Sequence, residues 1–170
     1  MYLKITRLST NVLLPEYATD GSSGLDVRAY ITKDNVNDIL GENFTGFFDI
    51  RNGLLTKLDD KIIIKPSGRA LIPTGLSVEI PVGFEIQVRP RSGLAIKHGI
   101  TVLNTPGTID SDYRGEIKVI LFNTSGKNYI VSNGDKIAQL VVQRVERVEL
   151  IEVDGLANTV RSTGGFGSTG

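Results

Sequence analysis

From residue 60 onward the chain is written in short β-forming runs cut by proline and glycine, and that rhythm admits few folds. The runs are Lys61–Lys65, Ala70–Ile72, Leu76–Ile80, Phe84–Arg89, Ile100–Leu103, Glu116–Phe122, Tyr129–Val131, Ile137–Gln143 and Val145–Ile151. Several alternate apolar and polar side chains with period two, the pattern of a strand with one buried face. Turn chemistry separates them at Pro66-Ser67-Gly68, Pro81-Val82-Gly83, Pro106-Gly107, Ser125-Gly126 and Asn133-Gly134. No stretch carries the helical periodicity, about 10–15 residues long, that a βαβ unit requires. The expected fold class is all-β: an antiparallel sandwich, barrel or jelly roll.

One stretch breaks the rhythm. Residues 33–60 hold Gly41, Gly46 and Gly53 with Phe44, Phe47 and Phe48 between them. This reads as an insertion between two strands, with room for a short helix near Asn35–Leu40. Its phenylalanines argue against pure disorder and call for a packing surface, on the domain or on a neighbouring subunit.

A chain of 170 residues has the size of one domain. Nineteen basic and nineteen acidic residues cancel, with a pI near 6.6, which argues against an extended nucleic-acid footprint. Phosphate affinity would have to come from a local cluster of cations. The absence of cysteine excludes thiol nucleophiles, disulfides and thiolate metal sites. The lone histidine, His98, makes a multi-histidine zinc site implausible and is expected exposed in a polar turn, Lys97-His98-Gly99. Neither a signal segment nor a bilayer-length apolar run is present, so no membrane partner and an intracellular, cytoplasmic location are expected.

Four loops concentrate Gly, Asp, Arg and Ser beyond the needs of simple turns. In Ala18–Asp26, Asp26 reads as a strand-edge carboxylate or as a site residue. In Arg89–Ala95, Arg91, Ser92 and the amides around Gly93 could cradle an anion. In Asn104–Gly115, Asp110 and Asp112 stand two apart beside Tyr113. On a regular strand they would share a face, and mutual repulsion would raise one pKa. Such a carboxylate can deprotonate water or help hold a metal; two solvated turn residues are the plain alternative. In Asn133–Leu140, Asp135 reads as structural and Gln139 as a potential phosphate donor.

The last ten residues, Arg161–Gly170, carry four glycines, four hydroxyls, a leading cation and one aromatic, Phe166. They bury little and cannot form a helix. They read as a disordered tail or as a lid that orders over a phosphorylated, ring-bearing ligand.

Taken in this order, the loops and tail resemble the five motifs of the trimeric dUTPase family, from Glu16 to Gly170 with only the 33–60 segment outside. Gly107-Thr108-Ile109-Asp110-Ser111-Asp112-Tyr113-Arg114-Gly115 and Gly164-Gly165-Phe166-Gly167-Ser168-Thr169-Gly170 are the most specific. The resemblance implies a jelly-roll-like distorted β-barrel spanning 1–160, a flexible lid at 161–170, and a homotrimer with active sites shared between subunits. It implies hydrolysis of dUTP to dUMP and pyrophosphate. Asp110 would be the general base that activates water for attack on the α-phosphorus. Mg²⁺, held mainly by the triphosphate, would neutralise developing charge, with Asp26 contributing indirectly through water. Arg91, Ser92, Gly93 and Gln139 would grip phosphates. The hairpin with Asn104, Gly107, Thr108, Ile109, Tyr113 and Lys118 would hold the nucleoside, with backbone groups reading the uracil edge and Tyr113 under the deoxyribose. Arg161, Gly167, Ser168 and Thr169 would close on the phosphates, and Phe166 would stack on uracil.

Three departures stand out: Ser23 where alanine is usual, Lys136 where arginine is common, and the 33–60 segment, unusual for the family. Lysine is no equal of arginine at a bidentate site, so a contact there would be weaker. The rivals are a dCTP deaminase of the same superfamily, a non-catalytic dUTPase-like regulator and a purely structural jelly roll. The Asp110–Tyr113 segment and the tail speak against them.

Overall fold

Period-two patterning becomes sheet wherever a run finds a partner. The computed structural model describes residues 1–32, 35 and 61–166. Among them are twelve strands: β1 (Lys4–Arg7), β2 (Glu16–Tyr17), β3 (Leu25–Arg28), β4 (Lys61–Ile64), β5 (Arg69–Pro73), β6 (Leu76–Glu79), β7 (Phe84–Arg89), β8 (Ile100–Val102), β9 (Gly107–Ile109), β10 (Lys118–Asn123), β11 (Tyr129–Ser132) and β12 (Lys136–Arg144). A short helix, α1 (Ser92–His98), lies between β7 and β8. Every described pairing is antiparallel. The largest sheet runs β2-β3-β12-β7-β9, beside a three-stranded sheet β5-β10-β8 and the pairs β1-β6 and β11-β4. The result is a jelly-roll-like all-β domain, as expected.

The core collects the inward faces of these strands. Ile86 and Val88 of β7 turn inward, while Glu85, Gln87 and Arg89 line the opposite face. Val27, Ile72, Ile86, Leu121, Val131 and Ala138 are wholly buried. Each of the valine, isoleucine and leucine side chains among them is worth about 1.5–3 kcal/mol of burial. A register shift between Lys136 and Ala138 lets adjacent Ile137 and Ala138 both face the interior.

The structure departs from the sequence reading in several places. The strand expected at Val145–Ile151 does not form. Arg144 already faces Phe84, the first residue of β7, so after the Val145 amide donates to Gly83 the partner runs out. Val148, Leu150 and Ile151 are consequently 78%, 91% and 80% exposed. Helix α1 was not expected, being only seven residues long with no buried side chain; Gly99 ends it in a left-handed turn at φ 66°. His98 is exposed as expected, though it closes this helix rather than a turn, with its ring 5.4 Å from that of Tyr129. The supposed insertion falls outside the described residues except for Asn35, whose side chain and amide trade hydrogen bonds with Thr32. No described helix is long and apolar enough to cross a membrane.

Candidate active site

The loop from β8 through β9 to β10 builds a cavity of about 310 Å³. Gly107 leaves room for the Asn104 side chain, since a Cβ there would stand 3.0 Å from Asn104 Nδ2. A turn follows, closed by the Tyr113 amide donating to the Asp110 carbonyl at 3.2 Å. Arg114 holds it from outside, its Nη1 donating to the carbonyls of Ser111 and Tyr113. The Tyr113 hydroxyl then donates to the Glu116 carbonyl at 2.9 Å, across Gly115.

The base of this loop is bolted to residues 74–76. Glu116 accepts the Gly75 amide at 2.7 Å, Thr74 donates its hydroxyl to the Ile117 carbonyl at 2.6 Å, and the Ile117 amide donates to Leu76. Asn104, Thr108, Ile109, Asp110, Tyr113 and Lys118, all predicted to hold the nucleoside or act on it, line the one cavity. Sequence reading missed Leu71, Glu116, Ile117 and Ile120 in its walls, since nothing in a β-run marks which of its residues meets a loop.

Asp110 and Asp112 do not share a strand face. Both are exposed around the turn after β9, so the expected face-to-face repulsion has no geometric basis. Asp110 also borders a second cavity of about 420 Å³, together with Glu85, Asp112 and Arg147.

A second cluster gathers around Asp26. In register, Glu16 of β2 faces Asp26 of β3, Asp26 faces Gln139 of β12, and Gln139 faces Arg89 of β7. The Asp26 carboxylate, 3% exposed, accepts from Lys136 Nζ at 2.9 Å, Arg91 Nε at 3.1 Å and Gln139 Nε2 at 3.5 Å. Burial is the largest single influence on its pKa and pushes it up. The Lys136 hydrogen bond, the Arg91 and Lys136 charges and Gln139 together outweigh burial, so the pKa is lowered overall. Lys136 reaches on to Glu16 at 3.2 Å, and the two carboxylates raise its pKa. Gly24 permits this arrangement: a Cβ there would lie 3.1 Å from Gln139 Cβ and 3.2 Å from Val141. Ser92 and Gly93 are exposed at the start of α1, and a Cβ at Gly93 would meet nothing within 4 Å.

The two clusters do not meet within one chain. Ile109 faces Ile86 on β7, whereas Arg91 lies beyond Arg89 at the other end of that strand. At strand spacings this separates Asp110 from Arg91 by on the order of 20 Å. Among the described residues the Arg161 side chain bonds only to the nearby Gly164 carbonyl, and Phe166 is fully exposed at φ 50°. Neither lines a cavity described above. Gly167, Ser168 and Thr169 lie outside the described residues.

The dUTPase family profile matches residues 53–170. The deoxyuridine 5'-triphosphate nucleotidohydrolase of Treponema denticola is 49% identical over 165 residues, 97% of this chain and 96% of that protein. Its counterpart in a Hydrogenobaculum species is 46% identical over 170 residues, 100% and 99% of the two chains. That alignment runs the whole length of this chain, residues 33–60 included. In fold, a mutant dUTPase of Staphylococcus bacteriophage 80alpha with dUpNHpp superposes with a TM-score of 0.75 at 21% identity, covering 99% of this chain and 98% of that one. A match across well over half the chain, with relatives at nearly half identity end to end, places this chain in the dUTPase family.

Proposed function

We propose that this chain hydrolyses dUTP to dUMP and pyrophosphate, with Asp110 as the general base. The observation that carries the reading is the hairpin cavity, which gathers Asn104, Thr108, Ile109, Tyr113 and Lys118 around that carboxylate. An exposed carboxylate on a braced turn can take a proton from a water aimed at the α-phosphorus. Backbone groups of Thr108 and Ile109 read the uracil edge, and Tyr113, pinned to Glu116, sets the floor for a deoxyribose. Arg91, Ser92, Gly93 and Gln139 bind the phosphates; the open space above Gly93 leaves room for an anion.

The spacing of some 20 Å between Asp110 and Arg91 supports a site completed by a second copy, because a base must lie within hydrogen-bond reach of its proton. A homotrimer with shared sites satisfies this, and the exposed Arg161 and Phe166 then serve a neighbouring copy as a lid with Gly167, Ser168 and Thr169.

The donor set suits a magnesium ion that arrives on the triphosphate. Among the described residues no three carboxylates or histidines form a cage, and Asp26 is already bonded to Lys136, Arg91 and Gln139. Asp26 would thus touch the ion through water, and the ion would supply neutralising charge to the phosphates. A nucleotide panel of dUTP, dCTP, dTTP and UTP, with and without Mg²⁺, tests the whole reading. Turnover confined to dUTP with Mg²⁺ is expected; preference for dCTP or no turnover at all would overturn it.

A further inference from the structure

We infer that Glu16 is a positioning residue for the phosphate-binding guanidinium of Arg91, acting through Lys136 and Asp26. The inference rests on the reading of Arg91 as a triphosphate ligand. Arg91 is held at two points, by Nε on Asp26 at 3.1 Å and by Nη1 on the Lys136 carbonyl at 3.3 Å. Its Nη2 has no partner among the described residues and is left for an anion. Both anchors therefore depend on where Lys136 and Asp26 stand.

Lys136 is the weak point of that arrangement. An arginine there could fork onto Asp26 with two parallel bonds and hold itself in plane. An ammonium is a point charge on a flexible four-carbon stem, and one carboxylate does not fix its direction. Glu16 supplies the second carboxylate: its Oε1 lies 3.2 Å from Lys136 Nζ, while Asp26 Oδ2 lies 2.9 Å from the same nitrogen. Glu16 is itself held by Arg28 Nη2 at 3.1 Å, and Arg28 Nη1 donates to the Gly134 carbonyl. A charge-paired path thus runs from the edge strand β2 across β3 and β12 to Arg91. With its side chain 56% exposed, Glu16 adds little to folding, so its contribution falls on orientation.

The test is Glu16→Gln in the full chain, with dUTP kinetics, deoxyuridine inhibition and thermal melting measured together. We expect KM for dUTP to rise about three- to tenfold with kcat within about twofold, the mark of lost phosphate binding that is uniform along the reaction. Deoxyuridine, which has no phosphate, should inhibit as before, and the melting temperature should hold. In a Lys136→Arg background the same substitution should have almost no effect, because the fork no longer needs Glu16. An unchanged KM in Glu16→Gln overturns the inference, as does an equal loss in the Lys136→Arg background. Parallel loss of deoxyuridine affinity or a collapse of the melting temperature overturns it too, since either marks a general structural role. If the wild-type chain does not hydrolyse dUTP at all, the functional reading falls and this inference falls with it.

Discussion

A Cβ at position 115 would overlap the phenol of Tyr113, so the glycine is what lets that ring fold back and donate to the Glu116 carbonyl at 2.9 Å. The hairpin's floor is shaped by a missing side chain.

Gly115→Ala should therefore push Tyr113 off its seat. Because misplacement of a positioning group costs catalysis steeply, kcat/KM for dUTP should fall by about tenfold or more. The core is untouched, so the melting temperature should change little. Steady-state kinetics beside a thermal melt decides it; wild-type kcat/KM would count against the role given to Tyr113.

Asp110→Asn should bind dUTP and lose about 10²–10⁴ in turnover, the usual worth of a positioned general base. Isothermal titration with a non-hydrolysable dUTP analogue separates binding from chemistry. Near-normal hydrolysis by the variant would remove Asp110 from the mechanism.

The separation of Asp110 from Arg91 predicts complementation. Asp110→Asn and Arg91→Ala chains should each be nearly inactive alone. Mixed in equal amounts and allowed to exchange subunits, they should regain about a quarter of wild-type activity, the fraction of sites drawing an intact residue from each of two different copies. No recovery in exchanged mixtures would mean that each chain builds its own site.

Removal of residues 161–170 should cripple turnover and leave the fold and melting temperature intact. Phe166 is fully exposed and, among the described residues, the Arg161 side chain bonds only to Gly164, so the described part of this segment adds little to the domain. Retained activity after truncation would refute the lid.

Acid should unpick the Asp26 network before alkali does. Asp26 is lowered below its ordinary value, with burial opposing and the Lys136, Arg91 and Gln139 contacts prevailing; Glu16 is lowered too, chiefly by the Lys136 hydrogen bond, but is too exposed to add much to stability. Folded values below the unfolded ones mean stability that is present above about pH 4 and lost as pH falls through the folded values. Lys136 is raised, so its share persists up to about pH 10 and is lost only as pH rises through its folded value. Urea melts between pH 3 and 7, ranges chosen to bracket the ordinary carboxylate pKa of about 4, should show an acid limb that Asp26→Asn flattens. An unaltered limb in that variant would place the acid sensitivity elsewhere.

What the sequence determined alone was local: alternation in β7 and β10 set their inward faces, and the glycine-punctuated hairpin from Asn104 to Lys118 named most of its own cavity lining. Those features are legible because strand faces and turns depend on neighbours in the chain. The end of β12 at Arg144, the path from Glu16 to Arg91 and the distance between the base and the phosphate cradle were not legible. Each depends on which strands pair and in what register, a choice made between distant segments, such as those of Asp26 and Lys136, 110 residues apart, that no local pattern encodes.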